Sequence, residues 1–252
     1  MRAKATRRPI PLISICWLRK RPLMPDFVKF FAPARTVPIT SWTAPSLWAV
    51  TPKRFLILFF GVFLMGLGGA STVQSELGNP PWTVLAQGLA IQLSIPLGWA
   101  FFLVSCLVLL VWIPLRVTPG FGTITNAVVF AASLEFGVSI IPQQDNFFVS
   151  LLMVLIGIFL VGFGTAIYIT CGLGQGPRDG WMIGFVKRTG IRLWQIRFAM
   201  EAFALSLGFL LGGKVGLGTV LVMLLIGQTV AISFTLLSNL PGEEKASPAT
   251  EV

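Results

Sequence analysis

The sequence predicts an all-α polytopic membrane protein with six transmembrane helices arranged as two repeats. Three observations lead to this prediction. Of the 252 residues, 55% are hydrophobic and only 11% are charged, six long apolar runs follow one another, and glycines of the early runs recur at a fixed spacing. A soluble domain needs far more charge on its surface, so the composition places the chain among membrane proteins.

Each apolar run is close to the length of about 20 residues that an α-helix needs to cross a bilayer. The runs cover residues 55–73, 97–115, 124–141, 149–170, 193–211 and 219–237. Two further segments, 82–93 and 178–189, would be about 18 Å long as helices, which is too short to cross. They are predicted to be half-helices that are either re-entrant or interfacial.

A constant offset of 96 residues relates the two halves of the chain. Gly61 recurs as Gly157, since 157 − 61 = 96. The same offset relates a further set of residues to its counterparts: Gly66, Gly78, Pro81 and Gly120 to Gly162, Gly174, Pro177 and Gly216. A single offset held without a gap over about sixty residues indicates a duplicated unit.

The duplication divides the chain into an N-terminal arm of residues 1–53, a first repeat of 54–145, a second repeat of 146–240 and a short tail of 241–252. Each repeat contains three spans and one half-helix. Because three is an odd number, the two repeats are predicted to cross the membrane in opposite orientations. Many secondary transporters are built from such inverted repeats.

The distribution of charge predicts the orientation. Residues 1–54 contain eleven Lys and Arg and one acid, Asp26, whereas the later residues carry eight bases and eight acids. Cytoplasmic loops are enriched in Lys and Arg, so the arm, Arg116 and the basic stretch 178–192 are predicted to be cytoplasmic. The connections that carry Glu76 and Asp145 are placed outside. Both termini are then cytoplasmic.

The arm has no helical or strand period, and we expect it to be disordered or to lie on the membrane surface. Its positive charge fits anionic lipid headgroups and orientation control better than nucleic acid. The short apolar run 10–18 precedes its basic residues, whereas a signal peptide has the reverse order. Met24 is an alternative start, because nothing in residues 1–23 looks structural.

The segment 174–181, around the start of the second half-helix, contains the main candidate ligand-binding residues. Gly176 suits the N-cap and Pro177 the first helical position, and Gly174 precedes them in the turn. Asp179 is favoured by the helix dipole, whereas Arg178 is not. Arg178 therefore needs a partner: Asp179 in an internal ion pair, a lipid phosphate, or a ligand anion.

The first repeat offers matching candidates without charge. Gly78 and Pro81 have the same turn-then-helix form, and Trp82 is either part of the site or an interfacial anchor. The turn 118–126 ends at Asn126 and could present backbone N–H groups to an anion. The alternative interpretation of that segment is a compact helix–helix turn.

Three ionisable residues lie inside predicted spans: Glu135, Arg197 and Glu201. Charge within a membrane is costly and often functional, so they are candidates as well. Arg197 and Glu201 are four residues apart and could pair on one helix. Glu135 and Arg197 also lie near the ends of their spans, where they could reach water.

No pattern indicates catalysis or a metal site. The chain has no histidine, no serine in a G-x-S-x-G setting, and three separated cysteines, Cys16, Cys106 and Cys171, which suit apolar packing. We expect neither an enzyme nor a bound cofactor.

Three motifs resemble those of the YczE/YyaS/YitT-type bacterial integral membrane proteins: Leu77-Gly-x-x-Pro-Trp82, Pro119-Gly-x-Gly-Thr-x-x-Asn126 and Gly174-x-Gly-Pro-Arg-Asp-Gly180. The resemblance covers residues 55–237 and implies a bacterial inner-membrane protein without assigning an activity. In that family an Asp commonly follows the Pro-Trp pair. This chain has Thr83 there, so its first unit lacks that carboxylate.

The combined patterns lead to two functional hypotheses. The first is a small permease with a site between the two half-helices, whose ligand would be an anionic small molecule or lipid headgroup. The second is a non-transporting membrane protein that binds a partner or lipid and acts as an accessory factor. A water-accessible polar path between the half-helices favours the first hypothesis, and a sealed apolar interior favours the second. The sequence predicts no oligomeric state.

Overall fold

The computed structural model describes residues 37–238, and every regular element in that range is an α-helix. The eight helices are α1 Pro52–Gln74, α2 Pro81–Leu93, α3 Leu97–Leu115, α4 Phe121–Ile140, α5 Phe147–Thr170, α6 Pro177–Thr189, α7 Leu193–Leu210 and α8 Leu217–Ser238.

Six of these helices, α1, α3, α4, α5, α7 and α8, are long and apolar enough to cross a membrane. The remaining two, α2 and α6, have 13 residues each. The prediction of six long apolar helices and two short ones is therefore confirmed. The chain is an integral membrane protein built entirely of helices over the described range.

Local sequence signals explain where several helices begin. Pro81 and Pro177 occupy the first positions of α2 and α6, where a missing N–H costs nothing. Asn146 caps α5 by accepting hydrogen bonds from the N–H groups of Phe148 and Val149. Pro81 and Pro177 thus place the starts of the half-helices immediately after the glycine-containing turns.

The central helices α1 and α5 pack closely through glycines. A Cβ atom on Gly68 would lie 2.7 Å from the carbonyl oxygen of Gly157, and a Cβ on Gly157 would lie 2.7 Å from the oxygen of Gly68. Gly61 and Gly164 make an equivalent approach. Small residues let membrane helices approach until their backbones touch, so these glycines set the distance between the two halves.

The 96-residue offset also appears in the helix boundaries. Helices α2, α3 and α4 begin at residues 81, 97 and 121, and α6, α7 and α8 begin at 177, 193 and 217, each 96 residues later. Hydrogen bonds follow the same relation. Gly122 N donates to Leu173 O at 2.7 Å, and Gly218 N donates to Leu77 O at 2.8 Å. Each turn before a half-helix is thus held by the last long helix of the other half.

The two halves differ in one packing relation. Helix α3 packs on α4, where the Phe101 and Phe130 rings stack at 4.4 Å. The corresponding helices of the second half, α7 and α8, make little contact with each other: α7 packs on α2 and α6, and α8 packs on α5. Gly227, on α8, has no atom within 4 Å of an added Cβ. The second half is therefore more open between its last two helices.

The packed part of the chain begins before the predicted boundary at residue 54. Thr43 Oγ1 donates to Thr170 O at 2.8 Å, and Ala44 N donates to Cys171 O at 2.9 Å. The Arg54 guanidinium donates to the carbonyl oxygens of Trp42, Thr43 and Ala49. These contacts hold residues 42–49 against the end of α5. The predictions for residues 1–36 and 241–252 lie outside the described residues.

Candidate functional site

The start of α6 is surrounded by polar groups from three helices. A Cβ on Gly176 would lie 3.2 Å from Asp179 Oδ2, 3.4 Å from the Tyr168 hydroxyl and 3.6 Å from Asn126 Oδ1. Asp179 comes from α6, Tyr168 from α5 and Asn126 from α4. The absence of a side chain at Gly176 therefore leaves room for these groups to converge. We call these four residues the Gly176 cluster.

Tyr168 lies in this cluster with an unused hydroxyl. It is the chain's one tyrosine and is 2% exposed. The Gly176 backbone N–H lies near its oxygen, but its hydroxyl proton has no acceptor among the described residues. A buried polar group without a partner costs roughly 1–3 kcal/mol, so native proteins rarely keep one without a reason. The hydroxyl proton of Tyr168 is therefore an unused donor at the Gly176 cluster.

Two further buried polar atoms near the half-helices also lack a hydrogen-bond partner within residues 37–238: Asn79 Oδ1 and Trp181 Nε1. The Asn79 amide donates to Gln87 Oε1 at 3.0 Å, which leaves its oxygen free. Asn79 precedes α2, and Trp181 lies in the second turn of α6. Unused hydrogen-bonding capacity thus accompanies both half-helices.

The half-helices meet through Trp82 and Trp181. Their rings make an edge-to-face contact at 5.9 Å between centroids. Trp82 is 4% exposed and belongs to the core between α2, α3 and α7. The interpretation of Trp82 as an interfacial anchor is therefore wrong, because an anchor presents its ring to headgroups and water. Trp82 instead closes the space between the half-helices.

Arg178 and Asp179 do not form the internal ion pair that the sequence offered as one interpretation. Over the described range the structure records no salt bridge or hydrogen bond between them. The physical reason is geometric, because consecutive residues of a helix point about 100° apart and do not face each other. Both side chains are half-buried. Neither charge has an ion-pair partner among the described residues, and Arg178 lies next in sequence to the cluster residue Asp179.

Two interactions fix the start of α6. Trp112 Nε1, on α3, donates to Pro177 O at 2.8 Å. Thr123 Oγ1, on α4, donates to Gln175 O at 2.7 Å. The backbone at Gly176 is thereby held from both sides, which is the preorganisation that a binding site needs.

The predicted site residues Gly78, Pro81 and Gly174 have structural roles. Gly78 and Gly174 have φ values of +106° and +121°, which L-residues rarely adopt. A Cβ on Gly78 would collide with the backbone nitrogen of Gly216, and one on Gly174 would lie 2.9 Å from Gly120 Cα. These residues shape the turns, and Pro81 starts α2, whereas Asn126 and Asp179 lie in the cluster.

The three ionisable residues of the spans lie apart from the cluster. Glu135 Oε2 accepts the N–H of Gly98 at 2.8 Å and so holds the start of α3, where the helix dipole favours an anion. Arg197 is exposed and Glu201 half-buried on α7. No ion pair between them is present in the described structure, and a basic residue placed before the acid is the weaker order of such a pair.

The connections on the predicted outer side are joined by one ion pair. Lys214 Nζ contacts Glu76 Oε2, and Lys214 N donates to Gln87 Oε1 at 2.8 Å. In the topology that the sequence predicts, the connection that carries Lys214 also lies outside, and Lys214 is the one basic residue there. Its position opposite Glu76 explains how a cation is accommodated there.

Sequence reasoning missed Tyr168 and Trp112. Tyr168 lies in an apolar run, where its hydroxyl gives no periodic signal, although a lone tyrosine in a span was a visible hint. Trp112 lies 65 residues from Pro177, so only the fold brings them together. Within residues 37–238, no group of three His, Cys, Asp or Glu side chains is placed to bind a metal.

Residues 52–234 match the family described as "Family of unknown function (DUF6198)". An uncharacterized protein of Haemophilus influenzae is 45% identical over 207 residues, which cover 82% of this chain and 95% of that relative. Two Bacillus subtilis proteins are also similar. The uncharacterized membrane protein YczE is 28% identical over 182 residues, covering 71% of this chain and 85% of YczE. The uncharacterized protein YyaS is 23% identical over 183 residues, covering 71% of this chain and 91% of YyaS. No solved structure matches the chain.

Proposed function

This chain belongs to the YczE-like family of unknown function, and we propose that it is a small permease of the bacterial inner membrane. Its substrate binds at the Gly176 cluster, at the start of the half-helix α6, which contacts the half-helix α2 through Trp181 and Trp82. The single observation that carries this proposal is the buried hydroxyl of Tyr168, whose proton has no acceptor in the described range and which lies next to Gly176 together with Asp179 and Asn126.

The architecture supports the proposal. The two units, related by the 96-residue offset, cross the membrane in opposite orientations, with both termini in the cytoplasm. A short helix in the middle of each unit then brings its N-terminus towards the interior, as in transporters built from inverted repeats. The close contact of α1 with α5 provides a surface on which one half can move against the other.

The charges beside the cluster indicate the chemical class of the substrate. Arg178 offers a guanidinium that binds a carboxylate or phosphate, and the N-terminus of α6 adds a favourable dipole. Asp179 and Asn126 offer oxygen acceptors next to Gly176. A small molecule with one anionic group and one N–H or O–H donor would satisfy both sets.

One observation favours the alternative function. Trp82 is buried against Trp181, which closes the space between α2 and α6. A protein that remained closed there would bind a lipid or a partner and act as an accessory factor without transport. A permease therefore requires Trp82 to move away from Trp181, whereas an accessory protein does not.

Uptake into proteoliposomes tests the proposal. The purified protein is reconstituted and supplied in turn with radiolabelled carboxylates, amino acids and phosphate esters. We expect uptake of one class, abolished by Asp179→Asn and reduced by Tyr168→Phe. The matched control is Ser139→Ala, which removes an exposed hydroxyl bonded within α4. Absence of uptake for every class, with correctly inserted protein, contradicts the permease and supports the accessory function.

A further inference from the structure

A second candidate binding site lies where the end of α3 meets the end of α6. A cavity of about 460 Å³ is lined there by six residues: Pro114, Leu115, Arg116, Gly184, Lys187 and Arg188. Three of these are cations and none is acidic. The cavity is open to the surface, and the side chains of its three cations are exposed. The charge distribution of the sequence places this end of both helices at the cytoplasmic membrane surface.

The backbone around the cavity is fixed. Arg188 Nη1 donates to Pro114 O at 2.7 Å, one of the last carbonyls of α3. Arg116 ends α3 with a left-handed φ of +54°, an uncommon conformation for a residue with a side chain. A Cβ on Gly184 would lie 2.9 Å from both Leu115 Cδ1 and Val117 Cγ2, so α6 approaches α3 closely.

Cations near a helix C-terminus are favourable without any ligand, so their presence alone would prove little. The repeat provides an internal comparison. The residues 96 positions from Lys187, Arg188 and Arg116 are Ile91, Gln92 and Gly212. Gln92 Nε2 donates to Leu211 O at 3.1 Å, much as Arg188 donates to Pro114 O. Leu211 corresponds to Leu115, the neighbour of Pro114, so a similar connection forms with neutral side chains and the fold does not require the three cations.

We propose that this basic cavity binds a phosphate group at the cytoplasmic membrane surface. Arg116 and Arg188 supply planar donors that match phosphate oxygens, and Lys187 adds a further positive charge. The phosphate belongs either to an anionic lipid headgroup or to a soluble phosphate ester. The site is separate from the Gly176 cluster, and the proposal does not depend on transport.

Binding is measured on the purified full-length protein in a neutral detergent. Native mass spectrometry reports bound phosphatidylglycerol against phosphatidylcholine, and ligand-induced thermal shifts report inorganic phosphate and glycerol phosphate. We expect phosphatidylglycerol or the soluble phosphates to bind, with an affinity that falls as salt is raised. Binding of phosphatidylglycerol alone identifies the lipid source, and binding of the soluble phosphates identifies the ester. Binding of none of these probes overturns the proposal.

The decisive variants take their residues from the other repeat. Arg188→Gln reproduces the residue found at Gln92, and Arg192→Gln removes the same charge outside the cavity lining. We expect Arg188→Gln to weaken binding about tenfold, the effect of losing one charge-assisted hydrogen bond, and Arg192→Gln to change it less than twofold.

The combined variant Arg116→Gly, Lys187→Ile and Arg188→Gln should lose binding while it keeps the unfolding midpoint. Equal weakening by Arg188→Gln and Arg192→Gln would show attraction to the basic surface as a whole and would overturn the site. The single variants carry the test if the combined one fails to insert.

Discussion

The indole of Trp112 fills the space beside Gly180 and donates from Nε1 to Pro177 O at 2.8 Å. At the positions related by the 96-residue offset, the larger and the smaller residue are exchanged: Val84 corresponds to Gly180, and Gly208 corresponds to Trp112. A Cβ on Gly208 would lie 2.6 Å from Leu85 Cα, so the backbones of α2 and α7 touch there. One large and one small residue fill the contact in each half, with opposite assignment.

This exchange of sizes gives the first prediction. Gly180→Ala places a methyl group in the Trp112 ring and should destabilise the protein by about 1–3 kcal/mol, the usual effect of overpacking. The thermal unfolding midpoint in detergent measures the loss. Trp112→Phe alone should lower the free energy of unfolding by about 1 kcal/mol, because it removes the hydrogen bond to Pro177 O.

In the double variant, the smaller ring should recover part of the Gly180→Ala loss. Strictly additive losses would show that the two side chains do not compete for this space.

The second prediction concerns the contact of α1 with α5. Gly157→Ala should destabilise the protein, because its Cβ would lie 2.7 Å from Gly68 O and 2.8 Å from Thr72 Cγ2. Gly227→Ala is the matched control in a membrane helix, since nothing lies within 4 Å of its Cβ. Alanine is preferred to glycine inside helices by up to about 1 kcal/mol, so the control should be neutral or stabilising. Equal midpoints for both variants would contradict the close packing.

The third prediction concerns Cys171, just after the end of α5. Burial raises the pKa of its thiol to about 12, from a usual value near 9. The thiolate is the reactive form, so Cys171 should resist maleimide at pH 8 in the folded protein and react after denaturation. Its neutral form stabilises the fold below pH 9, and this contribution falls as pH rises from about 9 towards 12.

A variant with Cys16 and Cys106 replaced by serine isolates the signal from Cys171. Rapid labelling of that variant in its native state would contradict the buried environment.

The fourth prediction is the orientation. Asp145 and Lys187 are both exposed, and the proposed topology places them on opposite sides of the membrane. Asp145→Cys should react with a membrane-impermeant maleimide in intact cells, whereas Lys187→Cys should react only after permeabilisation. A variant in which Cys16, Cys106 and Cys171 are all replaced by serine provides the background. Labelling of both positions from one side would contradict inverted repeats.

Much of the architecture could be predicted because membrane helices leave direct marks in a sequence. Spans need apolar length, and half-helices follow turns such as Gly176-Pro177. Of the three partners that the sequence left open for Arg178, the ion pair with Asp179 does not form, because two oppositely charged residues that are adjacent in a helix do not face each other. The role of Tyr168 depends on which residues α4 and α6 bring to it, and residues 42–49 are held mainly by side chains such as Thr43 and Arg54 that donate to backbone carbonyls. Neither relation leaves a periodic pattern.

In the proposed function a ligand binds at the Gly176 cluster through Tyr168 and Asp179, and through Arg178 next to it. Arg178 has no ion-pair partner among the described residues, so Arg178→Gln should change stability by about 1 kcal/mol or less. Arg178→Lys should bind weakly as well if the ligand is held by two parallel hydrogen bonds. The charge exchange Arg178→Asp with Asp179→Arg should also abolish binding, because the two groups serve different parts of the ligand.

The most direct measurement is the ligand-induced shift in unfolding midpoint, with a panel of anionic metabolites, for the wild type, Tyr168→Phe and Arg178→Gln. We expect at least one compound to stabilise the wild type by several degrees. Tyr168→Phe should reduce this shift, and Arg178→Gln should abolish it while leaving the unliganded midpoint unchanged. Three proteins that respond alike to every compound would contradict a site at the Gly176 cluster.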